Sequence, residues 1–192
     1  MNPSTVSLAA ANFALIGALP FVFFKRGRFN QMWFLTALPF LISGISIVGS
    51  AVGCVRTFWE PASMIGLICG SAAVIAYATA FVLVGLTLGS HRVPLALWHQ
   101  PDDPPQHIVT WGAYAHIRHP FYASFLLTLL GSILLAPNLG TLAALGYGFA
   151  MLNATAAREE RRLSQSDFHD EYLSYLERTG RFMPRLIDRR GA

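Results

Sequence analysis

The stretch FYASFLLTLLGSILLAPNLGTLAALGYGFAMLNATA, residues 121–156, decides how this chain folds. It carries no charged side chain from end to end. As one helix it would be about 54 Å long at 1.5 Å per residue, well beyond the roughly 30 Å of a bilayer's hydrocarbon core. Pro137-Asn138-Leu139-Gly140 sits near its middle, and those residue types favour a turn. The stretch therefore reads as two helices, 120–136 and 139–157, that cross a membrane and return as a hairpin.

Three more apolar stretches precede it, at 6–24, 32–54 and 62–89. Each reaches the roughly 20 residues that one crossing needs. Of the 192 residues, 54% are hydrophobic and 12% charged. A soluble domain carries about 25% charged residues, and the mean hydropathy here is +0.46. A chain this short has no soluble core large enough to hide so much apolar surface. The expected fold is all-α: a polytopic membrane bundle of about five transmembrane helices, the last two a hairpin, followed by a cytoplasmic amphipathic helix. Residues 1–90 hold the N-terminal helices and 91–192 the region that carries the chemistry. Pro20 and Pro39 fall inside the first two spans, where membrane helices tolerate a kink. Residues 99–105, with three prolines and two aspartates, read as a loop.

Charge sets the expected orientation. Lys25, Arg26 and Arg28 follow the first apolar stretch instead of preceding it, which favours a retained helix over a cleaved signal peptide. With five crossings, the 25–31 loop, the 89–119 segment and the tail after 157 share one side. That side holds thirteen of the fourteen lysines and arginines, and only Arg56 falls on the other. By the positive-inside rule the rich side is cytoplasmic and the N-terminus lies outside. The net charge of +4 suits anionic headgroups, and no aromatic-basic motif for nucleic acid is present. Cys54 and Cys69 read as small buried apolar residues, without a disulfide framework or zinc spacing.

Two clusters on the expected cytoplasmic side carry chemistry. The first is Gly112-Ala113-Tyr114-Ala115-His116-Ile117-Arg118-His119-Pro120-Phe121-Tyr122. Pro120 suits the first turn of a helix, whose N–H groups and dipole attract an anion. Arg118 and His119 stand just before that end, and Tyr122 shares a helix face with His119. The plainer reading makes Arg118 and His119 headgroup anchors and Tyr122 part of an aromatic belt. The second cluster is Arg158-Glu159-Glu160-Arg161-Arg162, at the exit of the last apolar helix. It is either a solvated face of neighbouring ion pairs or a place where Glu159 or Glu160 turns back to bind a cationic or hydroxyl-bearing ligand. Beyond it, Leu163, Phe168, Tyr172, Tyr175 and Leu176 alternate with charges as an amphipathic helix, with Asp167 and Asp170 as caps. No hydrolytic triad, P-loop or dinucleotide-type glycine fingerprint occurs. His107, His116 and His119 have no metal-ligand spacing, so no metal site is expected.

Taken together, the two clusters resemble the isoprenylcysteine carboxyl methyltransferase family and its phospholipid N-methyltransferase relatives. Arg118-His119-Pro120-Phe121-Tyr122, preceded by Gly112-Ala113-Tyr114, is similar to their RHPxY signature. Glu159-Glu160 follows, then Phe168, Glu171-Tyr172, Tyr175, Thr179, Arg181 and Pro184 in the family's order. The likeness covers about residues 99–186. It implies a helical membrane enzyme that uses S-adenosyl-L-methionine to methylate a lipophilic or prenylated lipid substrate, a carboxylate or an amine, entering from the bilayer. Carried over by position, Gln106, His107, Ile108, Val109, Tyr114, Arg118, His119, Pro120, Phe121, Tyr122, Glu159 and Glu160 would line the cofactor site. His119, Tyr122 and Arg158 would act on the acceptor. Where family members have an arginine four residues before the glutamate, this chain has Thr155, and Arg158 is the nearest arginine. Two other readings stay open: an NADPH-dependent membrane reductase of the sterol-reductase type, and a non-catalytic membrane subunit.

Overall fold

A computed structural model describes residues 3–22, 31–90 and 108–185 of the chain. The loop with Lys25, Arg26 and Arg28, the segment with Arg92, the expected loop at 99–105, Gln106, His107, Arg189 and Arg190 lie outside the described residues. Those described form an all-helical protein: α1 (Pro3–Val22), α2 (Gln31–Ala51), α3 (Met64–Ser90), a 3₁₀ turn (Gly112–Ala115), α4 (Pro120–Leu135), α5 (Leu139–Leu163) and α6 (His169–Arg178). The extended pairing among them is an isolated parallel bridge between Ile117 and Gly180. Among the described residues, one helix, α3, is long and apolar enough to cross a membrane. Shorter apolar stretches are Thr5–Ala14, Leu35–Ala51 and Pro120–Leu135.

The turn between α4 and α5 is set by Asn138. Its Oδ1 accepts the N–H groups of Gly140 (2.8 Å) and Thr141 (3.0 Å), and its carbonyl accepts that of Leu142 (3.0 Å). This is an Asx cap, which satisfies the donors that a helix start leaves over. The end of α5 differs from expectation. It runs past 157 to Leu163 because the charged run continues the helix, with Arg158, Arg161 and Arg162 outward and Glu159 and Glu160 buried. The start of α6 differs too. Its cap residue is Phe168, which makes no side-chain cap bond, and Ser166 Oγ accepts the Phe168 N–H instead (3.3 Å). Asp170 falls inside the first turn, where it faces the positive end of the helix dipole without capping it. Cys54 is exposed, not buried, because α2 stops at Ala51 and Gly53 (φ 79°) turns the chain into a loop.

The chain divides into two compact units. The first comprises Met1–Phe81 and Ser124–Met151. Its helices are inside-out by the standard of soluble proteins. On α2, Thr36, Pro39, Ser43 and Ser46 are buried, and Leu38, Leu41, Ile45 and Val48 are exposed. On α3, Ala73, Ala76, Tyr77 and Ala80 face in, with Ile68 and Ile75 facing out. Water would penalise such a surface, and lipid does not. Inside, the Tyr77 hydroxyl meets Ser132 Oγ at 3.2 Å, and Phe40 stands edge-on to Phe13 and Phe125 at 5.7 and 4.9 Å. The last turn of α2 and the loop after it are tied to the α4–α5 turn: Phe58 N donates to the Pro137 carbonyl (2.7 Å), and Asn138 Nδ2 to Ser50 Oγ (3.1 Å).

Candidate functional site

The second unit comprises Val82–Ala123 and Leu152–Ala192, and it gathers both chemistry-bearing clusters. Gly112 opens the site. At φ 63° it occupies the left-handed region, and a Cβ there would collide with Ser90 at the end of α3. The 3₁₀ turn that follows carries Tyr114, whose carbonyl accepts the Tyr175 hydroxyl of α6 at 2.7 Å. Next, residues 116–119 run beside the tail after α6. Arg118 N donates to the Gly180 carbonyl (2.8 Å), His119 N to that of Arg181 (3.1 Å), and Gly180 N to that of His116 (3.3 Å). The tail also turns back on itself here, so that a Cβ at Gly180 would strike the Met183 carbonyl.

Pro120 then starts α4, and the His119 carbonyl accepts the first intrahelical bond from Ala123 N (2.9 Å). This places His119 and Tyr122 one turn apart, with rings stacked at 5.3 Å and 4° between planes. The Tyr122 hydroxyl donates to Glu159 Oε1 at 2.7 Å. His119 Nδ1 lies 3.4 Å from Glu159 Oε2, and its Nε2 lies 3.3 Å from Glu160 Oε1 without the alignment of a hydrogen bond. Phe182 tilts against the same imidazole at 6.2 Å.

The two glutamates, adjacent in sequence, have different partners. Glu160 meets Arg118 Nε at 2.9 Å and a forked contact from Arg181, Nε at 3.1 Å and Nη2 at 2.5 Å. Arg181 Nη1 also donates to Asn153 Oδ1 (2.7 Å), and Arg118 Nη1 to the carbonyls of Thr179 and Leu176. Burial alone would raise the Glu160 carboxyl, but His119, Arg181 and Arg118 together hold it well below the usual range. Glu159 goes the other way. Burial pushes it up, and the opposing pull of His119, the Tyr122 hydroxyl and Arg162 does not fully offset that. Burial also pushes Tyr175 up to about 12, and raises Tyr114 and Tyr172 as well. These phenols stay protonated at neutral pH, and that of Tyr175 serves as a donor.

The remaining expected residues fall as follows. Ile108 is half-buried and Val109, Pro120 and Phe121 are buried. Arg158 is exposed, with Nη2 on the Thr155 hydroxyl at 3.3 Å. Sequence reasoning missed Asn153 and the part played by Arg181. Asn153, Ala156 and Glu160 share one helix face by their spacing, which was a readable signal. The pairing of Arg181 with Glu160 spans a turn and a helix, and no local spacing announces it. His119, Glu159 and Glu160 are the nearest thing to a metal-binding trio. Two guanidinium groups on Glu160 oppose a dication there, and no group among the described residues is placed to hold a metal ion.

The comparisons with known proteins bear on this geometry. No solved structure matches the chain. A curated relative, the cobalt-zinc-cadmium resistance protein CzcN of Cupriavidus metallidurans, is 38% identical over 113 residues, 55% of this chain and 52% of that one. The chain thus matches about half the length of this relative. The family model for isoprenylcysteine carboxyl methyltransferases (ICMT) matches residues 64–165. That span is more than half of the chain and contains the 3₁₀ turn, the start of α4 and both glutamates, so the chain belongs to the ICMT family.

Proposed function

We propose that this protein is an integral membrane methyltransferase that takes S-adenosyl-L-methionine as methyl donor and a lipophilic acceptor from the bilayer. One observation carries the reading: Glu159 is a buried carboxylate held by a neutral phenol and an imidazole, with no guanidinium in contact among the described residues. Such a group fits a ligand that brings its own positive charge and hydroxyls. Family membership supports methyl transfer in general.

The cofactor, when bound, supplies a methyl group already activated on a sulfonium. The chain's own task is then to hold and orient. Glu159 takes a cationic or hydroxyl group, with Tyr122 and His119 fixing its carboxylate. The Ile108–Val109 segment would line the ligand, and Tyr114, Pro120 and Phe121 would exclude water. Arg158, exposed with its guanidinium on the Thr155 hydroxyl, is the group this reading assigns to an anionic acceptor. A carboxylate acceptor needs no base, and an amine must lose a proton, a step that would fall to His119, with the Tyr122 hydroxyl beside it already donating to Glu159. In this reading the chain crosses the membrane five times, N-terminus outside and C-terminus cytoplasmic. The outward apolar faces of α2 and α3 and the one-sided arginines support that topology.

A nicotinamide dinucleotide phosphate would call for open guanidinium groups, and both Arg118 and Arg181 are turned to Glu160. The metal-resistance name belongs to the relative. Calorimetry of the detergent-purified chain should show S-adenosyl-L-methionine binding that Glu159→Ala abolishes. A folded protein that binds NADPH and not the adenosyl ligand would replace this reading with the reductase one.

A further inference from the structure

We propose that Arg181 is a positioning residue that, with Arg118, cancels the charge of Glu160, so that Glu159 alone presents negative charge to a cationic ligand. The inference rests on the cofactor reading above and deepens it. Two adjacent buried carboxylates repel each other and would both draw a cation. Here the geometry divides them. Arg181 forks onto both Glu160 oxygens, Arg118 Nε adds a third contact, and Asn153 pins the guanidinium of Arg181 from α5. The contacts to Glu159 come from Tyr122 and His119 Nδ1. Arg162, exposed on the same helix, acts on Glu159 only through space.

The backbone enforces the arrangement. Gly180 and Arg181 are locked to Arg118 and His119 by two main-chain bonds, so the arginine that covers Glu160 arrives on the same segment that backs His119. Phe182, next in line, closes on the imidazole. The tail after α6 therefore does electrostatic as well as packing duty: it decides how much negative charge the site shows.

S-adenosyl-L-methionine and S-adenosylhomocysteine differ by the sulfonium methyl and its charge, so the ratio of their affinities reads the field at the site. Calorimetry on the full chain in detergent should give Arg181→Gln a ratio shifted toward the cationic ligand by about three- to tenfold, because Glu160 is uncovered. Glu160→Gln should shift it the other way, since two arginines then lack their carboxylate. The double variant Arg181→Gln/Glu160→Gln should climb back from the Glu160→Gln value toward that of the wild type. A purely structural role for Arg181 would weaken both ligands by the same factor and leave every ratio unchanged, and that result overturns the proposal. Should Arg181→Gln fail to fold, the comparison of Glu160→Gln with the double variant decides alone. A wild-type protein that binds neither ligand removes the cofactor reading and this inference with it. Binding of both with immovable ratios removes the inference only.

Discussion

At the scale of single residues, Glu159 and Glu160 respond to acid in opposite directions. The depressed Glu160 carboxyl contributes stability that is fully present above the ordinary carboxylate range and is lost as pH falls toward its lower folded value. Glu159 is raised, so its charged form is the costly one, and the ligand-free protein gains stability as pH falls through that raised value. Glu160→Gln is therefore expected to destabilise the protein at neutral pH by roughly 2–3 kcal/mol. That is below the full cost of breaking a wholly buried pair, because Arg181 stays about a third in solvent. Thermal unfolding in detergent checks it. Glu159→Gln should do the reverse, raising the neutral-pH melting temperature and flattening its rise between the elevated value and the usual carboxylate range. A second consequence concerns the ligand. A cation bound at Glu159 requires the ionised carboxylate, so affinity should fall as pH drops through that window, with proton release on binding. Titrations in buffers of different ionisation enthalpy would expose the released proton, and a pH-independent affinity would contradict the assignment of Glu159.

At the scale of elements, the first unit is built on small residues that let helices approach closely. Gly131 of α4 lies under the Tyr77 ring, where a Cβ would come within 2.9–3.1 Å of three ring carbons. Tyr77 is fully buried and bonded to Ser132, so it has nowhere to go. Gly131→Ala should destabilise the protein by about 1–3 kcal/mol through overpacking. Gly146→Ala on α5 meets nothing within 4 Å and should be neutral or stabilising by up to about 1 kcal/mol through helix propensity. Equal melting temperatures for the two variants would refute the close α3–α4 approach. The hairpin turn at Pro137-Asn138, where side-chain chemistry is local, and the helix start at Pro120 were open to reading in the sequence; the close approach of Gly131 to Tyr77 was not. Contacts between distant segments were not. The reach of α5 to Leu163 was hidden because a charged run looks like an exit from lipid until one knows that Glu159 and Glu160 find partners in residues 118–122 and 181. The burial of Tyr172 and Tyr175 was similarly hidden behind their amphipathic setting. The resemblance carries the order of the motifs, and the fold brings both Arg118 and Arg181 to Glu160.

At the scale of the whole molecule, the topology proposed from charge can be tested with the chain's own cysteines. Five crossings with the N-terminus outside place the α2–α3 loop and the α4–α5 turn on the outer face. The bonds from Phe58 to Pro137 and from Asn138 to Ser50 hold that loop and the last turn of α2 against that turn, as a shared side of the membrane requires. Cys54 lies exposed in this loop, and Cys69, part-buried, sits on α3 inside the expected span. A membrane-impermeant maleimide added to intact cells should therefore label the protein at Cys54, and Cys54→Ser should abolish the labelling. Asp170 is exposed in the first turn of α6, on the proposed cytoplasmic side. Asp170→Cys in the Cys54→Ser background should react only after the cells are permeabilised. The opposite pattern, with Asp170→Cys labelled from outside and Cys54 protected, would put the candidate site on the outer face. S-adenosyl-L-methionine is polar and charged, and would not reach a site there from the cytoplasm by diffusion through lipid. The labelling experiment thus bears on the cofactor as well as the topology, because only a cytoplasmic Glu159 and His119 can meet a soluble donor while the acceptor arrives through the bilayer.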